Sequence, residues 1–140
     1  MNRFILAVAC SALAVAAFAQ QRASAPAGAK VYFIAPKNGA TVQNPVVVKF
    51  GLKGMTIAPA GTQTENSGHH HLLVDTDLSD LNLSAPLPAN DKVLHFGKGQ
   101  TETTLTLPPG KHTLELVFAD YEHMSFDPPV HSKKITITVQ

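Results

Sequence analysis

Beyond residue 30 the chain alternates apolar and polar positions in short runs separated by Gly, Pro and Asn. Alternation of period two places every second side chain on one face of an extended strand, so each run predicts a β-strand with one buried face. Residues 31–34 give the first, closed by Pro36-Lys37-Asn38-Gly39. Residues 41–42 are a brief extended piece before Asn44-Pro45. Residues 46–52 form a strong strand with Val46, Val48, Phe50 and Leu52 on one face. A long polar loop at 54–68 follows, then a strand at 70–75, a proline-containing loop at 81–91 and a short strand at 92–96. Strands at 103–107 and 112–119 flank the turn Pro108-Pro109-Gly110. Residues 120–129 read as a loop, and 130–139 as the closing strand, with Ile135, Ile137 and Val139 alternating against Thr136 and Thr138.

About seven short strands with regularly spaced turns and no helical periodicity predict an all-β, immunoglobulin-like β-sandwich spanning 31–140. The chain of 140 residues carries no internal repeat and is sized for one such domain.

The N-terminus follows a different pattern. Arg3 precedes an apolar run from Phe4 to Phe18, and Ala17-Phe18-Ala19 has the small-x-small form of a cleavage site. Residues 1–19 therefore read as a signal peptide. A transmembrane anchor would need roughly 20 apolar residues, more than this run offers before Gln20, Gln21 and Arg22. Residues 20–30, rich in Ala, Ser, Pro and Gly, read as a flexible leader. The expected location is periplasmic or secreted, with no membrane anchor once the signal is cleaved. The single cysteine, Cys10, falls inside the signal, so the exported domain has neither a disulfide nor a thiolate metal site. Its charges balance and form no basic stripe, which argues against a nucleic-acid partner.

Seven histidines, all from His69 onward, are the main clue to chemistry. In Ser67-Gly68-His69-His70-His71-Leu72-Leu73-Val74 a strand puts His70 on one face with Leu72 and Val74, and His69 and His71 on the other with Leu73. A His-x-His pair on one face sets two imidazoles about 7 Å apart at Cα, close enough to share an ion. Neutral imidazole suits copper, zinc, nickel or iron. Further ligands would come from Asp120-Tyr121-Glu122-His123-Met124, where Asp120 is a ligand or an orienting group. The expected metal set is His69, His71, His123 and Asp120, with copper foremost and zinc as the alternative ion; His95, His112 and His131 are further candidates. The competing reading leaves the histidines as capping or solvated groups on a structural or interaction module that engages an envelope protein. No serine sits in a nucleophile turn, and the domain is not expected to be an enzyme. A superoxide-dismutase site would need more ligands and a disulfide that this chain cannot form.

The segments Ala58-Pro59-Ala60-Gly61-Thr62, Asn66-Ser67-Gly68-His69-His70-His71-Leu72-Leu73-Val74-Asp75, Leu87-Pro88-Ala89-Asn90-Asp91, His95-Phe96-Gly97-Lys98-Gly99-Gln100-Thr101-Glu102 and Leu107-Pro108-Pro109-Gly110-Lys111-His112-Thr113-Leu114 resemble the bacterial domain of unknown function 4399. The resemblance covers most of the exported chain and implies an exported bacterial domain, without a known activity. The family pattern often places a second histidine before Asp127-Pro128-Pro129, where this chain has Phe126. A looser resemblance, over residues 107–123, is to periplasmic copper-binding proteins of the CopC type. It implies copper ligation by Asp120 and His123, with His69 or His71 replacing that family's N-terminal histidine.

Overall fold

A computed structural model describes residues 21–140. The signal peptide expected at 1–19, with Cys10, lies outside the described residues. Ten strands follow one another: β1 (Lys30–Ala35), β2 (Thr41–Val42), β3 (Val46–Lys53), β4 (Thr56–Ile57), β5 (Ser67–Val74), β6 (Val93–His95), β7 (Glu102–Leu105), β8 (Gly110–Ala119), β9 (Ser125–His131) and β10 (Ile135–Val139). One turn of 3-10 helix, Leu78–Asp80, sits in the long β5–β6 connection.

The strands form two layers. One sheet has three strands in the order β1-β3-β7. The other has seven, along the path β2-β10-β8-β5-β4, with β6 added to β5 and β9 to β8. The alternation of the sequence directs the burial. Val46, Val48 and Phe50 of β3 point inward while Val47 and Lys49 are exposed, and Ile135, Ile137 and Val139 of β10 are buried beside exposed Thr136. These side chains meet Val31, Leu72, Leu114, Leu116 and Phe118 in one core between the sheets. The protein is thus the all-β sandwich that its periodicity requires.

Strand β5 departs from one-sided burial, because all eight of its residues are buried. Its inner face enters the core through His70, Leu72 and Val74. Its outer face lies in a second cluster in which Leu73, Val93, Val117 and Ala119 are roofed by Leu87, Leu78, Leu81 and Leu83 of the β5–β6 connection. A strand covered on both faces is held more firmly than an ordinary sandwich strand, and this one carries three successive histidines.

Four details differ from the sequence expectation. The loop at 54–68 contains β4, a two-residue strand that runs parallel to the start of β5. The supposed loop at 120–129 becomes β9 from Ser125; Ser125 and Val130–His131 pair with β8, and Asp127-Pro128-Pro129 between them does not. Prolines lack the N–H a ladder needs, which hides such a strand in sequence. The closing strand is interrupted before Ile135, and Ser132 fills the gap by exchanging hydrogen bonds with the backbone of Leu116. Finally, residues 22–29, expected to be flexible, make specific contacts. Arg22 forms an ion pair with Asp127 at 3.0 Å, the Asp127 N–H donates to the Ala23 carbonyl, and Ala25 and Ala29 pack against the core.

Candidate metal centre

Three separate parts of the chain converge on the outer face of β5. The antiparallel register sets His71 opposite His95 of β6 and His69 opposite Ala119, the last residue of β8. The chain then turns through Asp120–Met124 and brings His123 back over the same face. His69, His95 and His123 each offer a ring nitrogen, and these atoms lie within 4.8 Å of one another. Ring centroids are 4.9 Å apart for His69 and His95, 5.1 Å for His69 and His123, and 4.7 Å for His95 and His123.

The closest pair is Nε2 of His69 and Nε2 of His95, at 3.1 Å. Two imidazoles bound to one ion at about 2.0–2.1 Å hold their nitrogens about 2.8–3.4 Å apart, depending on whether the angle at the metal is near square or tetrahedral. The separation therefore already suits ligands on a shared ion. His71 lies beneath the trio, with its ring centroid 4.9 Å from His69 and 5.1 Å from His95. Both of its nitrogens, and Nδ1 of His69, are buried with no hydrogen-bond partner. Buried polar atoms without partners cost about 1–3 kcal/mol each. His71 is not among the three converging donors, but its unsatisfied nitrogens and that of His69 leave bonding capacity open beside them.

Burial favours the neutral form of His69, His71 and His95. Burial, reinforced by the neighbouring histidines, lowers the pKa of His69 from 6.5 to about 4 and that of His71 to about 2. Burial first, then His123, also lowers that of His95. A neutral imidazole keeps the lone pair that a metal requires. Bringing these rings together protonated would set like charges side by side, whereas a cation bound between neutral rings meets no such opposition.

Backbone hydrogen bonds tie the surrounding loops together. The Ala60 N–H donates to the Gly97 carbonyl, the Gly61 N–H to that of Tyr121, and the Leu87 N–H to that of His123, each at 2.8–2.9 Å. Gly97 has a specific steric role. A Cβ there would stand 2.3 Å from Cε1 and 2.6 Å from Nε2 of His95, so the imidazole occupies the space that any side chain at 97 would fill.

Of the two roles expected of Asp120, ligand or orienting group, its carboxylate takes the second. It is not among the converging donor atoms. Its Oδ1 accepts the backbone N–H groups of Glu122 and Met124, both at 2.9 Å, and so shapes the turn that holds His123. His123 adopts φ 67°, in the left-handed region, a conformation uncommon outside glycine but one that histidine tolerates better than most side chains. His95, a further candidate in sequence, joins the cluster. No local signal reveals this, since it depends on the β5–β6 register; the histidine-glycine spacing of His95 and Gly97 is the one feature that could have drawn attention.

The other histidines lie elsewhere. His112 bonds Asp75 through Nδ1 at 2.6 Å and the Pro108 carbonyl through Nε2 at 2.7 Å; the Asp75 bond, the largest influence, raises its pKa. His131 bonds Glu115 at 2.9 Å. His70 faces the core among Phe50 and Phe118, with ring centroids at 5.1 and 5.2 Å. Phe126 stacks on Phe118 in that same core, on the other side of β5 from His69 and His71, so a phenylalanine here takes no donor from the cluster.

No curated protein and no solved structure matches the chain. A family model described as a domain of unknown function, DUF4399, matches residues 48–140. That span contains all four clustered histidines and more than half of the chain, and the protein belongs to the DUF4399 family.

Proposed function

We propose that this protein is an exported, non-catalytic domain that binds a transition-metal ion, copper foremost and zinc as the alternative, through His69, His95 and His123, with His71 beneath them as a fourth imidazole. The observation that carries this reading is the convergence of ring nitrogens from β5, β6 and the β8–β9 turn to within 4.8 Å of one another. The 3.1 Å spacing of the two Nε2 atoms and the partnerless nitrogens of His69 and His71 support it further. An all-nitrogen set favours copper or zinc over magnesium or calcium, which take oxygen ligands. Export rests on the N-terminal sequence pattern.

A ligand that binds only the folded state stabilises it by about 2.7 kcal/mol at a hundredfold excess over Kd, or roughly 10 °C in melting temperature for a domain of this size. The test is thermal unfolding with copper(II) and with zinc, beside metal analysis of protein recovered without chelators. A shift of that order, lost in His69→Ala and His123→Ala, is expected. No shift with either ion at saturation would refute metal binding and leave a structural or interaction module.

A further inference from the structure

The three-stranded sheet turns a different chemistry outward. Its exposed face carries Lys30 and Tyr32 of β1 and Val47, Lys49 and Lys53 of β3. Lys30 and Lys53 are directly opposite in the antiparallel register, as are Tyr32 and Gly51. Like charges in direct cross-strand positions destabilise a sheet. In the next pair along the same face the Tyr32 ring covers Gly51, where a Cβ would come within 2.3 Å of the ring, and Nζ of Lys53 stands 5.8 Å from its centroid. Glu102 is the sole carboxylate on the strands of this sheet; the others belong to the larger sheet and its connections.

Two observations restrict the partner. Ile34 and Val47, 48% and 47% exposed, are the exposed large hydrophobic residues among the described residues, and both belong to this sheet. Beside β1 opens a cavity of about 230 Å³, lined by Lys30, Lys37 and Lys133 together with apolar Val31, Phe33 and Ile135. Lysines over an apolar lining match an anion that carries hydrocarbon. An acidic peptide would need the charges but not the apolar lining or the projecting Ile34 and Val47. Lysine ammonium groups bind phosphate as point charges, and each adds about 1 kcal/mol of attraction to an anionic membrane surface.

We propose that the β1–β3 face, with the lysine-rimmed cavity beside it, docks on an anionic phospholipid bilayer. Docking through this sheet leaves the histidine cluster, on the outer face of the opposite sheet, turned away from the lipid.

The test is co-sedimentation of the full chain with vesicles of phosphatidylcholine alone and of phosphatidylcholine with about one-third phosphatidylglycerol, a fraction in the range where lysine clusters respond to surface charge. Neutral vesicles report the contribution of the apolar run 4–18, and the excess on anionic vesicles is the quantity read. Each lysine is expected to contribute about fivefold, so Lys30→Gln/Lys49→Gln/Lys53→Gln should lower that excess on the order of a hundredfold. Physiological salt should weaken binding of the unaltered protein. Lys92→Gln/Lys111→Gln, away from this sheet, should bind as the unaltered chain does. Circular dichroism verifies that each variant is folded. Equal binding to the two vesicle types would overturn the proposal, as would an excess unchanged in the triple variant. Capture by soluble polyglutamate without any anionic-vesicle excess would overturn the lipid in favour of an acidic protein.

Discussion

Replacing Gly97 with alanine tests the candidate metal centre through a residue that supplies no ligand. The added Cβ would lie 2.3 Å from Cε1 and 2.6 Å from Nε2 of His95, whereas non-bonded carbon atoms settle at about 3.5–4.0 Å. The ring must therefore retreat by about 1 Å or more. Metal–nitrogen distances tolerate only about 0.2 Å, so Nε2 of His95 leaves the position it shares with Nε2 of His69. Half-buried His95 can swing outward, which limits the folding cost to about 1 kcal/mol. Copper or zinc affinity should fall about 10- to 100-fold, as for other losses of ligand support, measured by competition against a chelator of known affinity. Copper(II) electron paramagnetic resonance should show altered nitrogen hyperfine structure. A double-mutant cycle sharpens the inference. If Gly97→Ala acts through His95, it should cost little in a His95→Ala background, because the interaction it disrupts is already gone. Undiminished affinity in Gly97→Ala, or full additivity with His95→Ala, would refute the steric argument.

Other substitutions test the surrounding structure. Asp120→Asn retains an oxygen able to accept the Glu122 and Met124 N–H groups and should keep metal affinity within a few-fold, whereas Asp120→Ala should lower both affinity and stability, the latter by about 1–2 kcal/mol; equal losses in a calorimetric titration would return Asp120 to the ligand set. His70→Leu removes two partnerless buried nitrogens and should raise chemical-denaturation stability by about 1 kcal/mol with metal binding unchanged; a loss of several kcal/mol would show that the imidazole has a partner. Burial lowers the pKa values of His69, His70 and His71 below 6.5, to about 4, 4 and 2. The unfolded chain consequently binds more protons as pH falls below 6.5, and stability contributed by the neutral rings is lost downward from there. With all three acting, the slope of metal-free unfolding free energy against pH should approach about 4 kcal/mol per unit near pH 5; a flat profile from pH 7 to 5 would contradict this burial of neutral imidazoles.

Much of this architecture is legible in local pattern. Period-two alternation in Val46–Lys53 and Ile135–Val139 requires one wet and one dry face, and such strands can bury their dry faces only by pairing sheets. The same period separates His70 from His69 and His71 before any coordinates are considered. What alternation cannot express is that both faces of β5 are covered, because the cover on its outer face comes from Leu78, Leu81, Leu83 and Leu87 in a connection without regular period. Nor does it reveal β9, whose two prolines interrupt the ladder.

The candidate site divides along the same line. His-x-His on one strand face follows from the geometry of an extended chain, so the sequence alone determined that His69 and His71 would be neighbours. The inclusion of His95 depended on cross-strand register, and that of His123 on a turn whose shape Asp120 sets through two backbone N–H groups. Register and turn closure are decided by packing between distant segments. Only the tertiary structure could therefore separate the imidazoles that share a point from those at 112 and 131, which bond carboxylates elsewhere.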